Sequence, residues 1–225
     1  VISHQSTITT FCLTKLSLLS HLEIVGCSRL SSVSFVSSDE ALFNTCSRLV
    51  SLEGRCSSLT LHTCTRLSCL HVFADALVVT GIQNLRFPIP PVSFLQLSSV
   101  NAKDIAQLTS LKELKWSGSS TVLPQSHLPP QLKTLFLKSL EIEGDFSIFT
   151  QLKKLVLLKM HVGTVTVTSP RFTSLRTNKC SVHSLALPGS TKELNLTQTR
   201  VESCDLSQCA HIDISLEDSE ILQSS

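Results

Sequence analysis

Six leucines, Leu95, Leu114, Leu135, Leu155, Leu175 and Leu194, follow one another at intervals of 19, 21, 20, 20 and 19 residues. Around them the chain repeats one short spelling, as LKELKWSGS, LKTLFLKSL, LKKLVLLKM, FTSLRTNKC and TKELNLTQT. A fixed period of about 20 residues is the mark of a stacked repeat. Each LxxLxLxx segment reads as a short strand whose alternate residues point inward. One such unit cannot bury its own apolar face. Stacked units can, because each strand pairs with the next in a parallel sheet and each ring of leucines covers the one before. Composition agrees: 38 of the 225 residues are leucine, against seven glycines and no tyrosine.

The pattern resembles that of the leucine-rich repeat family, LxxLxLxxN/C, which reads here as LSHLEIVGC (Leu19 to Cys27) and CSSLTLHTC (Cys56 to Cys64). LPPQLKTLFL and LPGSTKELNL look like the family's short, roughly 20-residue repeats with a proline before the strand. The usual ninth-position asparagine is replaced by Cys, Ser, Leu, Met or Thr. The resemblance implies a leucine-rich repeat solenoid: a parallel sheet on a concave face, with short strands, turns and little helix on the convex face. It also implies a non-enzymatic module that binds a protein on the concave side.

Residues 1–225 read as a single domain of ten or eleven coils, with regular repeats over about 92–216 and irregular ones over about 13–90. In the irregular part the candidate markers are Leu22, Val33, Leu52, Leu59, Leu70 and Leu77, at intervals of 11, 19, 7, 11 and 7. A coil cannot close in seven or eleven residues, so some of these belong to extended segments on the opposite side. Leu185 and Cys204 belong there too, between the markers Leu175, Leu194 and Ile212. No stretch sustains helical periodicity over twelve residues without Ser, Thr or Pro, so helix content should be low. RFPIPP, 86–91, is the expected irregular crossing, since proline cannot donate to a ladder. The repeat starts at Leu13–Leu22 without a recognisable cap, which predicts self-association there or an upstream segment; the acidic end from Asp213 to Ser225 is expected to close the other side.

Several function classes are disfavoured. A net charge of +2 with no basic run argues against nucleic acid. No window approaches the ~18 apolar residues of a membrane helix. The start carries no basic segment followed by a hydrophobic block, and nine cysteines, an odd number, fit reduced thiols better than a disulfide framework, so a cytoplasmic protein is expected, or an extracellular one if a signal peptide lies upstream. No GxSxG, P-loop, HExxH, paired CxxC or GxGxxG is present, so neither catalysis nor a cofactor is expected. Cys56, His62, Cys64, Cys69 and His71 gather five candidate metal ligands in sixteen residues. Cys56 and Cys64 read as inward, the histidines as outward, and opposed side chains cannot close one tetrahedron, so no metal is expected. Cys204 and Cys209 read as inward repeat positions, and Asn195-Leu196-Thr197 is a glycosylation sequon that matters only in a secreted protein.

The outward third, fifth and seventh positions of each LxxLxLxx carry the binding reading. Phe136, Val156 and Leu158 have no inward role, and Lys115, Lys138, Lys154 and Arg176 flank them; Phe94, at the third position of the Leu95 unit, belongs to the same predicted partner-binding set. An apolar centre within a basic rim is the composition of a patch for a protein partner with an acidic surface. Asp205 and Asp213 are assigned to the fifth position of the last two units, reversing the sign of the face. Two alternatives differ in class: the recognition arm of a larger enzyme such as a ligase or phosphatase, and a structural subunit, adhesin or receptor held by its edges.

Overall fold

The computed structural model describes residues 1–5, 7–13, 19–82, 88–100, 105–118, 122–124, 128–143 and 146–224. The chain divides into two compact units, Val1–Leu111 and Lys112–Ser225. Each is a parallel β-solenoid, and among the described residues the helical content is one 3-10 turn at Ile105–Gln107.

The first unit contains β1 (Ile2–Ser3), β2 (Thr10–Leu13), β3 (Leu19–Val25), β4 (Ser32–Phe35), β5 (Ser38–Asn44), β6 (Ser51–His62), β7 (Cys69–Thr80) and β8 (Phe94–Ser98). Its apparent irregularity comes from two interleaved ladders. Leu22, Ala41, Leu59, Leu77 and Leu95 stack in register in one. Phe11, Val33, Leu52 and Leu70 stack in the other. The intervals of seven and eleven residues are steps between ladders within one coil. The long strands β6 and β7 run through both, so Leu52 and Leu59 lie in the same strand and both are fully buried. Gly54 sits where β6 passes the ring of Phe35; a Cβ there would lie 2.7 Å from that ring, so the close approach needs glycine.

In the second unit, β9 (Glu113–Ser117), β11 (Thr134–Lys138), β13 (Lys154–Leu158), β15 (Ser174–Asn178), β17 (Glu193–Thr197) and β19 (Asp213–Glu217) form the main ladder. Leu114, Leu135, Leu155, Leu175 and Leu194 pair in sequence across it, each at most 1% exposed. The opposite side carries β10 (Val122–Pro124) paired with β12 (Glu141–Glu143), and a ladder of β14 (His161–Thr166), β16 (Ser181–Ala186), β18 (Arg200–Asp205) and β20 (Glu220–Ser224). Leu185 and Cys204 pair there, as the spacing predicts.

The C-terminal end differs from expectation in three respects. The partner of Leu194 is Ile214, two residues beyond the expected Ile212. Asp213 therefore pairs with Glu193, at the third position and not the fifth, and Asp205 belongs to the opposite ladder beside Ala186. Segment 213–224 does not close the stack. It adds another rung, and Ile214, Leu216 and Leu222 are exposed on it. The cause is that VESCDLSQC, which imitates the main-ladder spelling, begins in β18; the true strand follows eight residues after Asp205. Of the expected crossing at 86–91, residues 86 and 87 lie outside the described residues, and 88–91 form no strand. Between Leu13 and Leu22, residues 14–18 likewise lie outside them.

Most main strands end in the same corner, though β9, which runs into Gly118, does not. One residue takes a left-handed backbone, at Gly26, Thr45, Thr63, Gly81 and Ser99 in the first unit and at Ser139, Lys159, Lys179, Gln198 and Asp218 in the second. Its N–H still bonds up the stack, as from Thr45 to the His62 carbonyl (2.9 Å) and from Lys159 to the Asn178 carbonyl (2.8 Å). The following residue, the ninth of the motif, turns inward: Cys27, Cys46, Cys64, Ile82, Val100, Leu140, Met160, Cys180 and Thr199 are all buried. Three of these thiols donate to a carbonyl one rung back, Cys46 to Ile24 (3.7 Å), Cys64 to Phe43 (3.6 Å) and Cys180 to Leu157 (3.3 Å). Thr199 Oγ1 instead accepts from the Thr177 hydroxyl (2.9 Å) and the Cys180 N–H (3.4 Å) and donates to the Thr197 carbonyl of its own strand (2.9 Å). Small side chains with one weak donor thus reach carbonyls of the preceding rung.

Candidate functional site

The register of the second unit brings seven of the eight predicted patch residues onto contiguous strands. Lys115, Phe136, Val156 and Arg176 form one cross-strand row on β9, β11, β13 and β15. Lys138 pairs with Leu158 in the next row, and Lys154 pairs with Thr134 on the other side. Alternation with the buried leucines puts all seven on the open face. Phe136, Val156 and Leu158 are half-buried there, with Phe136 directly beside Val156. Phe94 is the first residue of β8 in the first unit, the strand position that Lys154 holds on β13, and is half-buried.

The basic rim is of two kinds. Lys115 is held by Glu113 of its own strand at 3.3 Å, and Arg176 by Glu193 at 3.6 Å. Lys138 and Lys154 form no ion pair among the described residues. Exposed pairs such as the first two contribute little to stability. Their effect is to leave Lys138 and Lys154, flanking the apolar pair, as the cations available to an incoming anion. The charge is strongly sided: residues 112–192 carry eleven Lys and Arg against four Asp and Glu, whereas residues 193–225 carry one against seven. The face thus changes sign toward the C-terminus, with Glu193 and Asp213 side by side on β17 and β19, although Asp205 is not part of it.

The cysteine-rich stretch of the first unit is distributed as its spelling predicts. Cys56 and Cys64 are buried, while His71 is exposed with its Nδ1 3.4 Å from the sulfur of Cys69. All nine cysteines are free thiols. Burial, helped by the nearby Asp75 carboxylate, raises Cys56 to about 11, and burial with Asp205 does the same for Cys204. The neighbouring Cys46 thiol and burial push the Cys64 thiol far above its ordinary range. None of these is poised as a nucleophile, since the thiolate is the reactive form. Cys204 is buried but lies on the opposite ladder, and half-buried Cys209 donates to the Pro188 carbonyl at 3.4 Å. Asn195 of the sequon is half-buried on the open face of β17.

Two features escaped the sequence reading. At the bend of β6 and β7, Arg55 lies 5.7 Å over the ring of Phe73, which is 68% exposed, beside a cavity of about 350 Å³ that Asp39 and Asp75 also line. The spelling CSRL at Cys27–Leu30 and Cys46–Leu49, followed by CTRL at Cys64–Leu67, repeats an exposed arginine in three successive coils. A search for repeated tetrapeptides, not only for leucine spacing, finds it. A scan against protein-family models matches none, and a search of curated proteins finds no match.

Proposed function

We propose that the chain is a non-enzymatic binding solenoid of the leucine-rich repeat type, and that it receives an acidic protein partner on the open face of its second unit. The observation that carries this reading is the row Phe136–Val156, with Leu158 beside it and at its flanks two lysines that form no ion pair among the described residues. Half-buried apolar side chains ringed by cations offer a partner both area to bury and a reason to approach in one orientation. The family reading is supported by the ninth-position residues, which turn inward and, at the cysteines, bond to carbonyls one rung back, the service expected of the usual asparagine. Nine free thiols favour a reducing compartment such as the cytoplasm.

The test is paired. Immobilised protein is exposed to extract from its native cell, and captured proteins are compared with those held by a Phe136→Ala, Lys154→Glu double variant. Both sites lie on the exterior of the strand, so the melting curve should stay in place while capture is lost. An unchanged set of captured proteins discards the patch.

A further inference from the structure

The three CSRL and CTRL segments of the first unit fold into three superposed turns. In each, the cysteine carbonyl accepts from the leucine N–H three residues on: Cys27 from Leu30 (3.2 Å), Cys46 from Leu49 (3.0 Å) and Cys64 from Leu67 (3.2 Å). The cysteine and leucine of each turn are buried, and the two residues between them are exposed. Ser28 with Arg29, Ser47 with Arg48 and Thr65 with Arg66 therefore project from the same corner on consecutive rungs, roughly 4.8 Å apart. Between the first two turns lies a concavity lined by Thr9, Ser28, Arg29, Ser47 and Arg48, with hydroxyl and guanidinium groups and no carboxylate. Among the described residues none of the three arginines forms an ion pair.

Like charges on neighbouring rungs repel, and nothing in the core requires arginine at an exposed turn position. An anion placed between rungs reverses the sign of that term. Each guanidinium is a planar fork of donors suited to two oxygens of one tetrahedral anion, and the Ser and Thr hydroxyls add single donors beside it. Spacing selects among polyanions. An extended acidic peptide presents side chains on one face only every ~6.6–6.8 Å, so it falls out of step with the rungs after the first pair. In a chain of linked phosphates the first and third groups lie about one rung apart, so successive arginines each keep a partner.

We infer that the Arg29–Arg48–Arg66 column binds an oligophosphate, with phosphate groups seated between consecutive turns and shared by adjacent guanidinium forks. This site lies in the first unit, and nothing about it depends on the protein-binding face proposed for the second.

Calorimetric titration with sodium tripolyphosphate, orthophosphate and poly-glutamate tests the assignment on the whole chain. Tripolyphosphate is expected to bind saturably and more tightly than either of the others. Arg48→Ala, at the middle rung, should weaken it by about tenfold or more, the loss expected for one charge-assisted bidentate contact. Arg48→Lys keeps the charge but not the fork and should fall between the two. Arg200→Ala, which removes an exposed arginine of the second unit, should leave the titration unchanged. The position is exposed, so folding is checked by an unaltered circular dichroism melt. Absence of saturable binding overturns the inference. So does poly-glutamate binding at least as tightly, which would mark an acidic-peptide site, and so does equal loss from Arg48→Ala and Arg200→Ala, which would mean bulk charge alone.

Discussion

Thr63 holds a backbone φ of 55°, and its neighbours one rung either way at the same corner are Thr45 (φ 53°) and Gly81 (φ 68°). A left-handed backbone crowds the Cβ of an L-residue against its own carbonyl, at a cost of roughly 1–2 kcal/mol, and β-branching worsens the fit. Thr63 is half-buried, so removing its side chain uncovers little. Thr63→Gly should therefore recover the strain and lose about 0.5–1 kcal/mol to the greater freedom of glycine in the unfolded chain. The net is a gain of about 0.5–1 kcal/mol, or ~1–4 °C in melting temperature for a chain of this length. Gly81→Ala is the reciprocal test. It introduces the strain, and its Cβ would meet Thr63 Oγ1 at 3.2 Å, so a loss of about 1–2 kcal/mol is expected. Urea unfolding read by circular dichroism is the assay, with the slope inspected in each variant because repeat proteins can lose two-state behaviour. If Thr63→Gly lowers the midpoint at unchanged slope, or if Gly81→Ala is silent, the corner is not strained in the way its dihedral angles indicate.

The register itself can be tested at three positions. Leu135→Asp and Leu155→Asp each place an unpaired carboxylate at a fully buried site and should unfold the second unit, whereas Lys138→Asp, at an exposed site three residues from Leu135, should shift stability by less than about 0.5 kcal/mol; equal tolerance would refute the assigned faces. Thiol chemistry tests the first unit: with a maleimide at neutral pH and native conditions, Cys12, which is exposed, should react first, and buried Cys27, Cys46 and Cys64 only as fast as the protein opens. Mass mapping that finds Cys64 labelled as quickly as Cys12 would show that the ninth position does not face the core.

How much of this was readable beforehand follows from which residues the core constrains. In the second unit a leucine occupies the same inward place on five consecutive rungs, from Leu114 to Leu194, so period and face are both spelled out. In the first unit the main ladder passes through Ala41, which no search for leucine marks, and β6 and β7 carry inward residues of both ladders in one strand. The result imitates broken periodicity although the coils are regular. At the C-terminal end the failure was the opposite one, since VESCDLSQC spells a main-ladder unit but lies on the other side. The corner was illegible for a different reason. Glycine at Gly26 and Gly81 advertises a left-handed backbone, but Thr, Ser, Lys and Gln at the equivalent places do not, because the stack imposes the conformation on residues that would not choose it.

The same division governs the candidate sites. Phe136, Val156 and Leu158 could be singled out because they are apolar at places where the repeat asks for nothing apolar, a contrast visible against a known register. The arginine column offered no such contrast, since an exposed arginine in a turn violates no expectation. It becomes a feature only when the rungs are laid over one another and Arg29, Arg48 and Arg66 fall in one line. A solenoid converts sequence separation of 18 or 19 residues into one strand spacing of ~4.8 Å, so weak single-residue signals add along the stack. Positions that carry binding in such a fold are therefore those the core leaves free, and columns, not individual residues, are the unit in which their chemistry should be read.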